Sequence, residues 1–496
     1  MVQGTASGVG KSRIVEALCR ILSNRGFRVA PFKAQNMALN SAVTFDGAEI
    51  SRSTAQQAKA ARTAPCAEMN PLLLKPKTDT VAQLVVMGRP YRDVKASDHF
   101  WRSTRLATFK RRIVSEALEN LSRDFEWIVI EGAGSPAEVN LRRFDVTNMD
   151  VALSVKALVL IVSDIDKGGS LASLVGTMGL LKPDERRLVK GFILNKFRGD
   201  ERLLAPALPF LRQKTGIRVR AVLPFHVPLV YLDEEDALAQ EVIGDPKAEI
   251  DIAIIYHPHL ANFTDFTSLA LEPKVRVRFV WRPATLGAPD AIILPGTKNT
   301  SGDLLHMKQT GFFGEISIRA KQGTPVIGIC GGYQMLGARL LDPFGLESST
   351  RCLKGLALLN VVTKFGITKR IKKVNASPSG SGVFLGKQDR RIQGYEIHHG
   401  VTVRQPGTTH AFEIKDETGN TDRDGAVSND GLIFGTYLHD LFSDARYRRN
   451  FVNALRTRKK LPPLRQGLIH AEKRAEDAIE SWARVVESRL DFRGIL

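Results

Sequence analysis

The residue types best suited to catalysis in this sequence surround Cys330. The cysteine lies in the segment Pro-Val-Ile-Gly-Ile-Cys-Gly-Gly at 325–332, between an apolar run and a helical pattern over 333–340. A nucleophile on a sharp strand-to-helix turn needs small neighbours, because its backbone is strained and another backbone approaches closely. The helix N-terminus favours a thiolate and an oxyanion electrostatically. We predict that Cys330 is a nucleophile, although a cysteine beside glycines without further partners would be a buried structural residue.

Two further segments supply the partners that a catalytic cysteine needs. Upstream, an apolar run ends at Gly296, and backbone amides there are expected to face the thiol and form an oxyanion hole with Gly331. Downstream, a short apolar strand is expected to end at His439, which would act as the base. The sequence therefore assigns catalysis to Cys330 and His439.

The N-terminus carries a second chemical motif, Gly-Thr-Ala-Ser-Gly-Val-Gly-Lys-Ser at 4–12. Glycines such as Gly8 and Gly10 let backbone amides wrap phosphates, Lys11 neutralises their charge, and the hydroxyl of Ser12 reaches Mg²⁺. The outer glycines are separated by five residues, one more than in the standard phosphate-binding loop. The motif predicts a site for ATP and Mg²⁺.

Three later apolar runs end at polar residues. These runs, 127–130, 158–162 and 191–194, lead to Glu131, Asp164 and Asn195. Ligands of open α/β sheets bind beyond the carboxyl ends of the strands. Each polar residue alone is equally well explained by a helix cap. Together, after a phosphate-binding loop, they favour a nucleotide site in a doubly wound parallel sheet.

Composition and charge bound the class of protein. The chain has 496 residues, is 43% hydrophobic and 25% charged, and carries a net charge of +19. Such a length suggests two or three domains, and the four scattered cysteines argue against disulfides or a zinc site. The charge suits either nucleic acid or anionic small molecules, but the basic residues are dispersed without an aromatic-interleaved array. We expect a cytoplasmic protein with small-molecule substrates, no nucleic-acid partner and no membrane partner.

Composition shifts divide the chain into four parts. We predict an N-terminal domain over 1–232, a polar linker over 233–249, a second domain over 250–455 and a basic helical tail over 456–496.

The cysteine, oxyanion and histidine segments resemble the class I glutamine amidotransferase domain, whose cysteine takes the glutamine side chain as a thioester and releases ammonia. The resemblance implies an α/β fold with a flavodoxin-type doubly wound sheet. Those families usually carry Glu two residues after the histidine, where this chain has Leu441. The third member of the triad is therefore missing or replaced, as in the cobalamin branch. The long loop at 4–12 resembles the dethiobiotin synthetase-like group, which implies a P-loop NTPase-like parallel sheet.

Longer segments, covering nearly the whole chain, resemble the cobyric acid synthase family. They lie at 35–41, 69–76, 131–141, 195–200 and 394–398. The resemblance implies a glutamine-hydrolysing carbon–nitrogen ligase that amidates the b, d, e and g carboxylates of adenosylcobyrinic acid a,c-diamide with ATP, giving adenosylcobyric acid. Ammonia would pass internally between the two domains.

The same resemblance implies roles for the remaining candidate residues. Thr5 and Lys11 would contact phosphates, Asn195 would read the adenine edge, and Ser12 and Glu131 would hold Mg²⁺, with Asp46 as a further candidate ligand. Gln35, Asn36, Asn40 and Ser41 would face the corrin or the acyl phosphate, and Asp145 would lie beside the carboxylate being modified.

The chain departs from the family pattern at Thr54, where Gln is usual, and at Asp150, where Gly is usual. These departures bear on the order of amidation more than on the reaction type. Two alternatives remain. The sister enzyme, cobyrinic acid a,c-diamide synthase, shares both domain types, but the segments at 35–37 and 131–136 disfavour it. A ParA-like ATP switch with a vestigial amidotransferase domain suits the charge, but the intact Cys330 and His439 segments disfavour it.

Overall fold

The computed structural model describes residues 1–38, 40–76, 80–95, 103–226, 242–348, 350–379, 382–386, 391–465 and 467–495. The chain forms two compact units: the first comprises Met1–Lys75, Thr80–Asp236 and Ala475–Leu496, and the second comprises Pro76–Asp79 and Ala237–Arg474. Of the linker predicted at 233–249, residues 233–241 lie outside the described ranges. In the described ranges no helix combines the length and apolarity that a membrane span requires.

The first unit is built on a parallel sheet. The strands of the whole unit, which also include those of smaller sheets, are β1 (Val2–Gly4), β2 (Val29–Phe32), β3 (Gln35–Met37), β4 (Ser41–Val43), β5 (Glu49–Ser51), β6 (Leu72–Pro76), β7 (Val81–Val86), β8 (Arg89–Lys95), β9 (Trp127–Ile130), β10 (Val159–Asp164), β11 (Val189–Phe197) and β12 (Val219–Pro224). Its helices are α1 (Lys11–Asn24), α2 (Arg52–Ala60), α3 (Thr104–Asp124), α4 (Met149–Ser154), α5 (Ser170–Leu180), α6 (Pro183–Leu188) and α7 (Ala207–Thr215).

Strand pairing in this unit brings the predicted polar strand ends to one edge. Strands β1, β10, β11 and β12 pair in parallel in that order. Strand β2 pairs in parallel with β9, and a parallel bridge between Val2 and Glu131 joins β9 to β1. The carboxyl ends of all these strands therefore lie at the edge where doubly wound sheets bind ligands.

Two smaller sheets in the first unit were not predicted. The order β3-β6-β7-β8 includes the antiparallel pair β7–β8, and β4 and β5 form a separate antiparallel pair. These strands carry the family-like segments at 35–41 and 69–76.

The second unit contains the predicted second doubly wound sheet. The strands of the whole second unit are β13 (Val242–Gly244), β14 (Ile250–Ile255), β15 (Val275–Val280), β16 (Ala291–Leu294), β17 (Val326–Ile329), β18 (Arg339–Leu341), β19 (Cys352–Lys354), β20 (Val361–Pro378), β21 (Ile392–Arg404), β22 (Phe412–Asp416), β23 (Thr421–Asp424), β24 (Ala426–Val427) and β25 (Ile433–Thr436). Its helices are α8 (Thr300–Thr310), α9 (Phe312–Lys321), α10 (Gly331–Leu336) and α11 (Ala445–Arg458).

The main sheet of this unit has the order β13-β15-β14-β16-β17-β25-β24, with parallel pairing from β15 to β25 and antiparallel edges. Numbered along the chain, the five parallel strands follow the order 2-1-3-4-5, which is the flavodoxin-type arrangement. Most of their residues are apolar and buried, as expected for strands covered on both faces. A second sheet has the order β19-β18-β20-β22-β23, and β21 pairs with β20.

The segment 456–496 differs from the single basic tail that was predicted. Helix α11 continues through Arg458 in the second unit, whereas most of a last helix, α12 (Ala471–Arg489), belongs to the first unit. Its apolar face, which includes Ile479 and Trp482, is buried in the core that contains α1. The apolar residues of α12, spaced as in an amphipathic helix, therefore decide where this helix packs, although the segment is rich in basic residues.

Candidate active sites

Cys330 has the strained backbone that its glycine neighbours predict. It caps α10 with φ 52° and ψ −109°, a conformation that side chains with a Cβ rarely adopt. A Cβ on Gly332 would lie 1.9 Å from the carbonyl oxygen of Leu294, so this neighbour must be glycine. The amide of Cys330 donates to the carbonyl of Thr436 at 2.8 Å, which ties the turn to the end of β25.

His439 lies beside this turn and is paired with a carboxylate that the sequence analysis missed. Its Nδ1 lies 2.6 Å from Oδ2 of Asp265, and both side chains are buried. Asp265 comes from the stretch 262–266, far from His439 in the chain. Leu441, which stands at the usual position of the triad Glu, is buried in the apolar core. Asp265 therefore supplies the carboxylate contact to His439 that Leu441 cannot make.

The surroundings of His439 favour its protonated form. Burial disfavours the imidazolium, but the charge and hydrogen bond of Asp265, with a smaller effect of Cys330, outweigh it and raise the pKa of His439 to about 10. The Tyr395 ring stacks on the imidazole with centroids 4.9 Å apart. The geometry thus holds an imidazolium, oriented by Asp265, next to the cysteine.

The predicted oxyanion segment lies against the same turn. A Cβ on Gly296 would lie 3.4 Å from Cε1 of His439 and 3.7 Å from Cβ of Cys330. A Cβ on Gly331 would lie 3.1 Å from the amide nitrogen of Thr297. The structure therefore brings Gly296, Gly331, Cys330 and His439 together, as the sequence analysis expected.

Strand β21 covers the cysteine and borders a cavity of about 680 Å³. The Cys330 thiol donates to the carbonyl of Ile397 in β21 at 3.5 Å. The cavity lining includes Arg370, Glu396 and Asp424. Burial, together with the Asp424 charge, raises the pKa of Glu396 to about 7. Groups of both charge signs therefore lie next to the strand that covers the nucleophile.

The phosphate-binding loop connects β1 to α1 as predicted. Gly8 and Gly10 have φ values of 72° and 97°. The ammonium of Lys11 donates to the carbonyl of Ala6 in the loop at 3.0 Å and to that of Gly134 after β9 at 3.1 Å, so it lies between these two segments. The Thr5 hydroxyl donates to Ser163 at 3.1 Å.

Asn195 contacts the loop itself. Its Nδ2 donates to the carbonyl of Val9 at 2.9 Å, and a Cβ on Gly10 would lie 2.2 Å from that nitrogen. The structure gives Asn195 a role in shaping the loop, while adenine recognition stays a prediction.

Ser12 and Glu131 are brought together as predicted. The Ser12 hydroxyl donates to Oε1 of Glu131 at 2.7 Å. Two residues that the sequence analysis did not single out complete the cluster: Lys33, 3.1 Å from Oε1, and Gln57, which donates to Oε2 at 2.5 Å. Lys33 follows β2 directly, so the strand-end rule that selected Glu131 would also have found it.

Asp46 and Asp145 have local partners. Asp46 is exposed in the turn between β4 and β5 and accepts a hydrogen bond from Thr44 at 2.5 Å. The described residues show no hydrogen bond or ion pair between Asp46 and Glu131, and no group of three or more metal-ligating side chains is found in those ranges. Asp145 accepts hydrogen bonds from the amides of Thr147 and Asn148, so it stabilises the turn that precedes α4.

The four residues predicted to face the corrin differ in exposure. Gln35 is half-buried and accepts a hydrogen bond at 2.8 Å from Lys110, whose pKa burial lowers to about 8. Asn36, Asn40 and Ser41 are buried. The Ser41 hydroxyl accepts a hydrogen bond from buried Lys75, which also pairs with Glu49. The corrin-facing role of all four stays a prediction.

The two departures from the family pattern have structural partners. Thr54 is buried at the start of α2, where its hydroxyl lies 2.9 Å from that of the capping residue Ser51. Asp150, in α4, forms an ion pair with Arg111 of α3 at 2.9 Å.

Family comparisons agree with these two sites. Residues 1–238 match the CobQ/CobB/MinD/ParA nucleotide binding domain, and residues 251–447 match the CobB/CobQ-like glutamine amidotransferase domain. The phosphate-binding loop lies in the part of the chain that matches the nucleotide binding domain, and the Cys330–His439 pair lies in the part that matches the glutamine amidotransferase domain.

Curated relatives narrow the class. The cobyric acid synthase of Pelotomaculum thermopropionicum is 47% identical over 93% of this chain and 88% of the relative. The cobyric acid synthases of Moorella thermoacetica and Desulforamulus reducens are 45% and 44% identical to this chain. Each alignment spans 99% of this chain, and it spans 95% and 96%, respectively, of the two relatives. The chain belongs to the cobyric acid synthase family and is an amidating ligase of cobalamin biosynthesis. The predicted family, fold class and type of enzyme are confirmed.

Proposed function

We propose that this enzyme uses ATP and glutamine to amidate the b, d, e and g carboxylates of adenosylcobyrinic acid a,c-diamide, with adenosylcobyric acid as the product. One observation carries the use of glutamine: the strained Cys330 lies beside a buried His439–Asp265 pair. The family relationship and the segments at 35–41 and 131–141 support the corrin acceptor.

The glutaminase reaction follows from the geometry around Cys330. The sulfur attacks the side-chain carbonyl carbon of glutamine, and backbone amides near Gly296 and Gly331 stabilise the oxyanion. The carbon–nitrogen bond then breaks as the His439 imidazolium protonates the leaving ammonia. Water hydrolyses the thioester, which releases glutamate and restores the thiol. Asp265 orients His439 throughout and stabilises the ring while it is an imidazolium.

The synthetase reaction needs an activated acid, because a carboxylate attacked by ammonia would have to expel oxide. Transfer of the ATP γ-phosphoryl group to the carboxylate gives an acyl phosphate that ammonia can attack. Lys11 and the loop amides neutralise the phosphate charge. The Ser12 hydroxyl and the Glu131 carboxylate are hard oxygen donors that fit Mg²⁺, which would neutralise further charge when bound.

Product mass spectrometry tests this proposal. The enzyme is incubated with the a,c-diamide, ATP and glutamine labelled with ¹⁵N at the side-chain amide. We expect a product with four new amides that all carry the label. Unchanged a,c-diamide, or a product amidated at other carboxylates, would contradict the proposed acceptor.

A further inference from the structure

Lys33 is a buried cation at the proposed magnesium site. It follows β2, and Glu131 follows β9, so both residues lie at the carboxyl ends of neighbouring parallel strands. The ammonium lies 3.1 Å from Oε1 of Glu131, with side-chain exposures of 6% and 1%. The same oxygen accepts the hydrogen bond of Ser12. A protein cation therefore lies against the carboxylate that Mg²⁺ needs.

The buried Glu131 carboxylate needs a positive charge beside it before any metal binds. A buried carboxylate is costly without a positive partner. Gln57 donates to the other oxygen, Oε2, but it is neutral, so among these contacts Lys33 supplies the charge. A divalent cation bound at the same carboxylate would repel the ammonium strongly, because screening is weak in a buried site.

We propose that Lys33 is a displaceable counter-ion of Glu131. It balances the carboxylate until the metal–nucleotide complex binds, and its ammonium then turns to the substrate carboxylate and the acyl phosphate formed from it. This inference rests on the proposed function. Lys11 does not serve this role in the same way, because its ammonium is held between the carbonyls of Ala6 and Gly134.

The chemical step balances without a proton from Lys33. A carboxylate oxygen forms a bond to the γ-phosphorus as the bond from that phosphorus to the bridging oxygen of ADP breaks. Lys33 stays protonated and offsets the negative charge that moves onto the acid. It is a positioning cation while it pairs with Glu131, and it touches the reacting atoms only after release.

Mn²⁺ binding without nucleotide tests the displacement directly. Lys33→Met keeps most of the side-chain volume but removes the charge, so we expect Mn²⁺, followed by its electron paramagnetic resonance signal, to bind roughly tenfold or more tightly. Lys33→Arg keeps the charge and should bind Mn²⁺ like the wild type. The double variant Lys33→Met/Glu131→Gln should lose the gain. Wild-type affinity in Lys33→Met, or weaker binding, overturns the proposal.

Amidation with ammonium as nitrogen source tests the second part of the proposal, in which the Lys33 ammonium turns to the substrate carboxylate and its acyl phosphate. We expect Lys33→Met to form product at least about a hundredfold more slowly than the wild type, because the charge on the acid is no longer offset. A wild-type rate in Lys33→Met overturns the proposal, while product formation by the wild type shows that the proposed function itself stands. Lys33→Gln, which retains a hydrogen-bond donor for Glu131, is measured in parallel and should show the same two changes if Lys33→Met does not fold.

Discussion

Nδ1 of His439 lies 2.6 Å from Oδ2 of Asp265, a residue that is distant in the chain and has no counterpart in the usual Cys-His-Glu order. The amide of Asp440 donates to the other oxygen of Asp265 at 3.2 Å, which fixes the carboxylate from both sides. The carboxylate that contacts His439 therefore comes from a distant part of the chain, and Leu441 packs in the apolar core.

Asp265→Asn should impair glutamine hydrolysis. The amide cannot balance the imidazolium, so we expect kcat to fall by about 10²–10⁴-fold, as in other enzymes that lose an orienting carboxylate. Steady-state glutaminase assays measure the change. Asp440→Asn is the matched control, since asparagine tolerates the positive φ of this position, 62°. Equal losses in the two variants would contradict the assignment of Asp265.

The raised pKa of His439 predicts a pH dependence of stability. The folded-state pKa of about 10 exceeds the ordinary value of 6.5, so folding favours the protonated ring. The resulting stabilisation is complete below pH 6.5 and is lost as the pH rises towards 10. Thermal unfolding midpoints of the wild type and Asp265→Asn should therefore differ most at pH 6 and converge near pH 10. A difference that grows with pH would contradict this account.

Gly10→Ala should weaken ATP binding more than Gly8→Ala. Both residues have positive φ, so a Cβ at either position introduces backbone strain of about 1–2 kcal/mol. A Cβ at Gly10 also meets Asn195 at 2.2 Å, whereas no atom of the described residues lies within 4 Å of a Cβ at Gly8. Calorimetric titration with a non-hydrolysable ATP analogue gives the two affinities. A larger loss in Gly8→Ala would show that the Asn195 contact does not shape the loop.

Trp482→Ala should destabilise the first unit. The indole is buried against α1, and its Nε1 donates to the carbonyl of Arg13 at 2.8 Å. Truncation of a buried tryptophan costs about 3–5 kcal/mol of the free energy of unfolding. Denaturant unfolding checks this value. Trp281→Ala, at a side chain that is 42% exposed, is the control and should cost less. Similar costs would contradict the packing of α12.

Much of the fold could be predicted from the sequence, because the patterns that indicate its strands and turns are local. The glycines around Cys330 predict a strained turn, and the φ and ψ angles of Cys330 show this strain. The apolar run at 127–130 predicts a strand, and β9 occupies that range. The loop at 4–12 likewise predicts the β1–α1 connection. In each case neighbouring residues decide the backbone conformation.

Residues whose roles depend on distant partners were missed. Asp265 lies between Thr264 and Phe266, and no local pattern there shows that His439 folds against it. The residues after 455 were predicted to form one basic helical tail, but no local signal showed that Ile479 and Trp482 pack in the core that contains α1. Likewise, the sequence contained no sign that Ser41 contacts Lys75, which in turn pairs with Glu49. Such contacts become visible only when the tertiary structure is known.

The central claim is that Cys330 supplies nitrogen to an acid activated at the phosphate-binding loop. Cys330→Ala is the direct test, with product formation measured first with glutamine and then with ammonium at high pH. The account predicts that glutamine no longer supports amidation, whereas ammonium and ATP still do so at a rate close to that of the wild type. Equal loss of both activities, or glutamine-dependent amidation that persists without the thiol, would contradict it.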